Sequence, residues 1–102
     1  MFRHGVMFKL RHSLHTLYCV QVFDALQANK RHIPGIIDIC CGANVSPEGL
    51  RRGNIHAFTV DFIDDAARDS YLPNPAHQKV GAMIVAISEG GIDGVTVLDW
   101  KM

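Results

Sequence analysis

The chain has 102 residues, 48% of them hydrophobic and 20% charged, which is a composition typical of one globular domain. Ten basic and ten acidic residues give a formal net charge of +0, which argues against a nucleic-acid-binding protein and against a polybasic membrane-surface segment. No apolar run approaches the roughly 18 residues of a membrane-spanning helix, so we predict a single domain over residues 1–102 with neither a nucleic-acid nor a membrane partner.

The chain begins with a predicted strand and a predicted helix. Residues 2–10 alternate between two faces, with His4 on the same face as Phe8, and this period of two predicts a strand. Ser13 stands where a helix N-cap belongs, and Pro34 next to Gly35 ends the helix that follows. The apolar face predicted for this helix consists of Leu14, Leu17, Tyr18, Val20, Val22, Phe23 and Leu26.

Two strands are predicted in the middle of the chain. Residues 36–42 are a short apolar run between turn residues, and alternation places Ile37 and Ile39 on one face. Residues 44–53 are rich in turn residues and predict a loop. Residues 54–63 alternate again and predict a strand with His56 and Phe58 on its inner face.

Two helices and a last strand complete the prediction. Asp64 and Asp65 cap a short helix and place negative charge at its positive end. Pro73 and Pro75 break this helix, and a longer helix follows, with the glycines at residues 90–91 at its end. Residues 95–101 predict the final strand, with Val95, Val97 and Asp99 on one face. The apolar stripe of the longer helix consists of Val80, Met83, Ile84 and Ile87.

The order β-α-β-β-α-α-β is typical of an α+β, ferredoxin-like fold with a four-stranded antiparallel sheet. Its helices can cover only one face of the sheet, and a large exposed apolar face is unusual for a monomer. Because burial stabilises by about 25 cal/mol per Å² of apolar area, we expect two copies to pair sheet to sheet as a dimeric α+β barrel. The uncovered face is predicted to carry Met7, Ile37, Ile39, Ile55, Ala57, Leu98 and Trp100.

The cysteines and two of the histidines favour no redox or metal chemistry. Cys40 and Cys41 are adjacent, so on a strand they point to opposite faces. Since the first residues do not form a signal-peptide core, we expect three reduced, mostly buried thiols in the cytosol. His12 and His15 could share a metal ion, but zinc needs further ligands at suitable spacing, so we predict no metal and no other cofactor.

Three polar residues fall on predicted inner strand faces. His4 and His56 share their faces with large apolar residues, and Asp99 lies on the inner face of the last strand. A single buried histidine is often satisfied by a backbone carbonyl, but a buried carboxylate is costly unless it is paired. Together the three indicate the lining of a cavity.

A further candidate pair lies between the two last helices. Tyr71 and His77 flank a stiff segment that holds Pro73 and Pro75. A histidine can exchange a proton near neutral pH, and a phenol can donate a hydrogen bond to a developing oxyanion. The alternative for His77 is a surface histidine near the start of a helix.

These features, taken in order, resemble the stress-responsive dimeric α/β-barrel (Dabb) family across nearly the whole chain. The resemblance implies a ferredoxin-like fold, pairing of two chains through their sheets, and a pocket between the sheet and helices of each subunit. The matching segments are RHGVMFKL at 3–10, IPG at 33–35, GANVS at 42–46, HAF at 56–58 leading to Phe62, Tyr71, PAH at 75–77, and Asp99.

The resemblance also implies roles for particular residues. A plant polyketide cyclase of this fold uses a tyrosine and a histidine at the positions matching Tyr71 and His77. There the histidine removes a proton alpha to a carbonyl, and the tyrosine stabilises the resulting oxyanions. Leu26 stands where that cyclase has a second tyrosine, which makes the expected pocket floor more apolar. Residues matching His4, His56 and Asp99 surround the cyclase cavity.

We therefore expect a homodimer whose pocket binds a small apolar carbonyl or aromatic compound, with His77 and Tyr71 as catalytic acid–base groups. Two alternatives remain open: a non-catalytic, stress-protective structural module and a cofactor-free monooxygenase. The predicted ligand-binding residues are His4, Leu26, His56, Phe58 and Asp99.

Overall fold

The computed structural model describes residues 1–11 and 17–102. The predicted order of strands and helices is confirmed. Ser13, predicted to cap the first helix, Leu14 of its predicted apolar face, and the His12 and His15 pair lie outside the described residues. The elements are β1 (Phe2–Phe8), α1 (Leu17–His32), β2 (Ile36–Ala43), β3 (His56–Phe62), α2 (Asp65–Tyr71), α3 (Pro75–Ile87), a short 3-10 helix (Gly91–Gly94) and β4 (Val95–Lys101).

The four strands form one sheet in the order β2-β3-β1-β4, and all neighbouring strands are antiparallel. The α+β, ferredoxin-like prediction is therefore confirmed. Strand β1 is central, and His4 lies opposite Val60 of β3 and opposite Asp99 of β4. Since directly opposite residues point to the same face, this register places the Asp99 side chain next to that of His4.

The core lies between the inner face of the sheet and the helices. Alternation along β1 buries every second side chain, and β3 presents a matching apolar row. Helices α1 and α3 pack against each other over these rows, and α1 also packs on β2. The buried side chains that join sheet and helices include Phe8, Phe58, Val60, Phe62, Val22, Leu26, Val80 and Ile84.

The prediction that Ile39 belongs to the uncovered face is wrong. The pairing of β2 with β3 shifts between Ile36 and Asp38, so a β-bulge adds one residue there. An extra residue reverses which side chains face the core. Ile39 therefore lies opposite Val60 and is only 4% exposed, whereas Ile37 is exposed.

The predicted apolar face of α1 is also partly wrong. Leu17, Tyr18 and Val20 are exposed, although their spacing favoured burial. Apolar residues surround the first turn of this helix, so hydrophobic periodicity alone does not fix which side faces the sheet. The side chains that α1 does bury are Cys19, Val22, Leu26 and Asn29.

Two caps position the segment between α2 and α3. The Asp64 carboxylate accepts the backbone N–H of Ala67, as the sequence predicts for an N-cap. The Asn74 side chain accepts the N–H of Ala76, and Pro75 occupies the first position of α3, where a missing N–H costs nothing. This arrangement ends α2 at Tyr71 and starts α3 two residues before His77.

Gly35, just before β2, lies very close to Ala67 of α2, and this close contact can be tested by substitution. Gly35 has a φ of +88°, and an added Cβ would lie 2.6 Å from the Cβ of Ala67. We expect Gly35→Ala to lower the free energy of unfolding by about 2 to 4 kcal/mol, because the new side chain strains the backbone and overpacks the contact. Urea denaturation measures this loss. Gly49→Ala is the control, since Gly49 has a φ of +73° with no atom within 4 Å, and should cost only about 1 to 2 kcal/mol. Equal losses of unfolding free energy in the two variants would contradict the close contact between Gly35 and Ala67.

Candidate functional site

A cavity of about 480 Å³ lies between the inner face of the sheet and α3. It forms because β4 is an edge strand that the helices cover incompletely: Val97 points to the helix side, opposite Val6, yet is 51% exposed. The walls are mainly aliphatic, and the polar groups gather at one end. The sequence-predicted site residues that line the cavity are His4, Leu26, Phe58, Tyr71, His77 and Asp99.

Three rings meet at the polar end of the cavity. Tyr71 is the last residue of α2, and its ring centroid lies 4.3 Å from that of His77 in the first turn of α3. The ring of His4, from β1, lies 6.1 Å from the same tyrosine in an edge-on arrangement. Phe62 supports Tyr71 from the core, with ring centroids 5.1 Å apart. The phenol is therefore held between two imidazoles.

The hydrogen bond of His77 defines its proton positions. Its Nδ1 lies 2.8 Å from the backbone carbonyl of Leu72. A carbonyl only accepts, so Nδ1 carries the proton and Nε2 keeps a lone pair. Burial lowers the pKa of His77 below its usual value, and the nearby His4 adds to this, against the opposing effect of the Leu72 bond. The neutral ring therefore presents Nε2 as a base at neutral pH.

Tyr71 is the complementary hydrogen-bond donor. It is 1% exposed, and burial raises its pKa to about 12, so the phenol keeps its proton at neutral pH. Its hydroxyl makes no hydrogen bond to any residue within 1–11 and 17–102. Buried hydroxyls are usually paired, so this donor is available to an oxygen atom in the cavity.

Asp99 is paired on both sides. His4 Nδ1 donates to Asp99 Oδ1 at 2.7 Å, and the guanidinium of Arg68 donates to the other carboxylate oxygen. Arg68 also donates through Nε to Asp69 at 2.8 Å and lies over the ring of Phe2. The carboxylate on the inner face of β4 thus has two charge-assisted hydrogen bonds, which compensate its desolvation.

Sequence reasoning missed Arg68. A signal was present: Arg68 precedes Tyr71 by three residues, and residues at this spacing share one face of a helix. An inward carboxylate also demands a cationic partner. These two signals make Arg68 a candidate for the polar end of the cavity, whereas its pairing with Asp99 is seen only in the folded structure.

The structure does not bring His56 to this cavity. His56 lies four residues along β3 from Val60, the partner of His4, which corresponds to about 13 Å of strand. Its ring stacks on Phe8 and meets the edge of Phe23, with centroids 5.9 and 6.1 Å away. Its Nδ1 is buried without a hydrogen-bond partner among the described residues, and burial lowers its pKa. His56 is therefore a neutral core residue.

The described part of the chain holds no group of three or more His, Cys, Asp or Glu side chains that could bind a metal ion. Within the same residues, no helix is long and apolar enough to cross a lipid bilayer. Cys19 is buried and Cys41 is half-buried, and burial raises the pKa of the Cys41 thiol to about 11. Cys40 is exposed, contrary to the expectation of mostly buried thiols, because it points to the outer face of β2.

Comparison with known proteins gives one family. The model described as "Stress responsive A/B Barrel Domain" matches residues 2–102. A dimeric ferredoxin-like protein of unknown function from Jannaschia sp. has a similar structure, with 28% identity and a TM-score of 0.91 over 99% of this chain and 98% of that one. A search of curated protein sequences gave no significant match.

Two plant proteins have the same fold at lower identity. An Arabidopsis thaliana protein has 20% identity and a TM-score of 0.89, over 100% of this chain and 95% of that one. A hydroxynitrile lyase from Passiflora edulis has 17% identity and a TM-score of 0.86, over 99% of this chain and 92% of that one. At these identities, the similarity establishes the shared fold.

Two histidines with lowered pKa values predict how stability depends on pH. The pKa values of His56 and His77 are lowered in the folded state, so the folded protein binds fewer protons than the unfolded chain just below pH 6.5. Stability from these groups is complete above that pH and is lost as the pH falls through it. We expect the free energy of unfolding, measured by urea denaturation, to decrease from pH 7 to pH 5.

A matched pair of variants tests this assignment. His56→Phe removes the unpaired nitrogen from an aromatic cluster and should make the pH dependence shallower. His32→Gln changes an exposed histidine and should leave the dependence as it is in the wild type. An unchanged slope in His56→Phe would show that this ring is not held neutral by burial.

Proposed function

The chain belongs to the stress responsive A/B barrel domain family, and on that premise we propose a homodimer whose subunit cavity binds a small apolar carbonyl or aromatic compound and exchanges a proton with it. His77 acts as the base and Tyr71 as the hydrogen-bond donor. One observation carries the proposal: a buried phenol with no partner among the described residues stands beside a neutral imidazole at the polar end of an apolar cavity. We also propose a cytosolic location, which the exposed free thiol of Cys40 supports.

The proposed chemistry follows from the two ring positions. A ligand carbonyl oxygen accepts the Tyr71 proton in a hydrogen bond, which polarises the carbonyl and acidifies the neighbouring C–H group. Nε2 of His77 then removes a proton from that carbon. The negative charge that develops on oxygen is stabilised by the phenol, in an apolar environment where such a bond is stronger than in water.

His4 and Asp99 complete the polar end. Because Asp99 accepts from His4 Nδ1, the His4 ring has a fixed orientation and its Nε2 is the remaining ring nitrogen. The aliphatic walls, with Leu26 at the floor, favour the apolar part of the ligand. A small molecule with one carbonyl group and an apolar body fits this distribution.

The outer face of the sheet supports the dimer. Leu98 is 59% exposed and Trp100 is 42% exposed, and the Trp100 indole packs against Gly5, where an added Cβ would approach it to 3.1 Å. Met7 and Ala57 extend this apolar surface across β1 and β3. The Jannaschia protein described above is dimeric, which supports the same assembly for this chain.

A charge on the outer face should separate the subunits. We expect the wild type to sediment as a dimer at micromolar concentration and Leu98→Lys to sediment as a folded monomer, since a lysine would be buried without a partner. Val20→Lys is the control, because Val20 is exposed to a similar extent on α1, away from this face. A wild-type monomer, or a dimer that Leu98→Lys does not weaken, would contradict the proposed assembly.

Deuterium exchange tests the proton transfer directly. We expect the protein to accelerate incorporation of deuterium from D₂O into the methyl group of acetophenone, followed by ¹H NMR. His77→Gln should abolish the acceleration, and Tyr71→Phe should reduce it by about 10²- to 10³-fold, as expected for loss of an oxyanion donor. Tyr18→Phe and His32→Gln, which alter exposed residues, should exchange at the wild-type rate.

Gly81→Leu tests whether the ligand binds in this cavity without altering the proposed reacting groups, His77 and Tyr71. Gly81 lines the cavity, and an added Cβ there meets no atom within 4 Å, so a leucine side chain would start in open space at the cavity wall. We expect this variant to keep its fold and lose acetophenone binding in NMR titration. Exchange that is unaffected by both His77→Gln and Gly81→Leu would place the reaction outside the cavity and refute the proposal.

A further inference from the structure

We infer that Asp99 makes the cavity selective for uncharged ligands by neutralising Arg68, an inference that rests on the proposed function of the same cavity. The cavity would then restrict the charge of the ligand as well as its size and polarity. The groups involved are the hydrogen-bonded side chains of Arg68, Asp99 and His4.

The cavity wall offers no free cation to an anionic ligand. Among the described residues that line it, none is lysine or arginine, and Asp99 is the charged side chain. Arg68 does not line the cavity. Its guanidinium lies behind the Asp99 carboxylate and is held by that group and by Asp69. A carboxylate or phosphate in the cavity would therefore meet a like charge and apolar walls, which solvate an anion poorly.

The two histidines do not reverse this balance. His77 is neutral above its lowered pKa and presents the lone pair of Nε2, which repels an anion. The Nδ1 proton of His4 is already donated to Asp99. A neutral carbonyl oxygen, by contrast, needs only the phenol hydrogen of Tyr71, which has no partner among the described residues.

Removing the charge of Asp99 should expose that of Arg68. In Asp99→Asn the guanidinium keeps Asp69 as its carboxylate partner but loses the one that stands between it and the cavity. Asp69 is 66% exposed on the solvent side, so it screens the cavity less. An anion in the cavity of this variant is then attracted by Arg68 instead of repelled by Asp99.

Two aryl ketones of equal size provide the probes. 4-Acetylbenzamide is neutral and 4-acetylbenzoate is an anion, and affinities are measured by isothermal titration calorimetry at pH 8, above the lowered pKa of His77. We expect the wild type to bind the amide at least tenfold more tightly than the carboxylate. Asp99→Asn should reduce this ratio at least tenfold, whereas Asp69→Asn should change it less than threefold.

Arg68→Gln is a second, independent variant. It removes the cation and leaves Asp99 charged, so it should increase the preference for the amide at least threefold, opposite in direction to Asp99→Asn. Equal wild-type affinities for the two probes, or a ratio that neither Asp99→Asn nor Arg68→Gln alters, would overturn the inference and leave the proposed function standing. Absence of binding by both probes, together with absence of acetophenone exchange, would overturn the proposed function as well.

Discussion

A carboxylate on the inner face of an edge strand is the constraint on which the site depends. Asp99 is accommodated because His4 of β1 lies directly opposite it and Arg68 of α2 reaches its second oxygen. These hydrogen bonds join three elements at one end of the sheet. They hold α2 to the sheet through Arg68, and Tyr71 follows one helical turn beyond. The segment with two prolines then brings His77 back to the same point.

Alternation predicts the inner face of a strand wherever the strand pairs with its neighbour residue for residue, without a bulge. The alternation of β1, β3 and β4 is regular, and their inner faces are as predicted. The extra residue in β2 is a property of strand pairing that alternation does not reveal, so alternation alone assigns Ile39 to the wrong face. Helix α1 has the corresponding ambiguity, because its first turn is apolar on several sides and packing on the sheet selects Cys19 and Val22.

The site shows the same division between local pattern and three-dimensional position. Shared inner faces were enough to group His4 with Asp99, and the proline-rich segment was enough to group Tyr71 with His77. Alternation predicts which face of a strand a residue lies on, but not how far along the strand it meets residues of other elements. It therefore groups His56 with residues that lie at the opposite end of the sheet. Its surroundings of Phe8 and Phe23 make it part of the core. Arg68 was missed because it lies on a different element from its partner, and only the folded structure shows that the two meet.

Residue 81 can change the size of the cavity independently of its polar groups. The polar groups stand on β1, α2, β4 and the first turn of α3, whereas Gly81 belongs to the next turn of α3, where a side chain would project into empty space. Alanine, valine or leucine at this one position would place one, three or four side-chain carbons in that space, one helical turn away from His77. On the proposed function, single substitutions at this position would change the length of the ligand that the cavity accepts without touching the groups proposed to recognise its carbonyl.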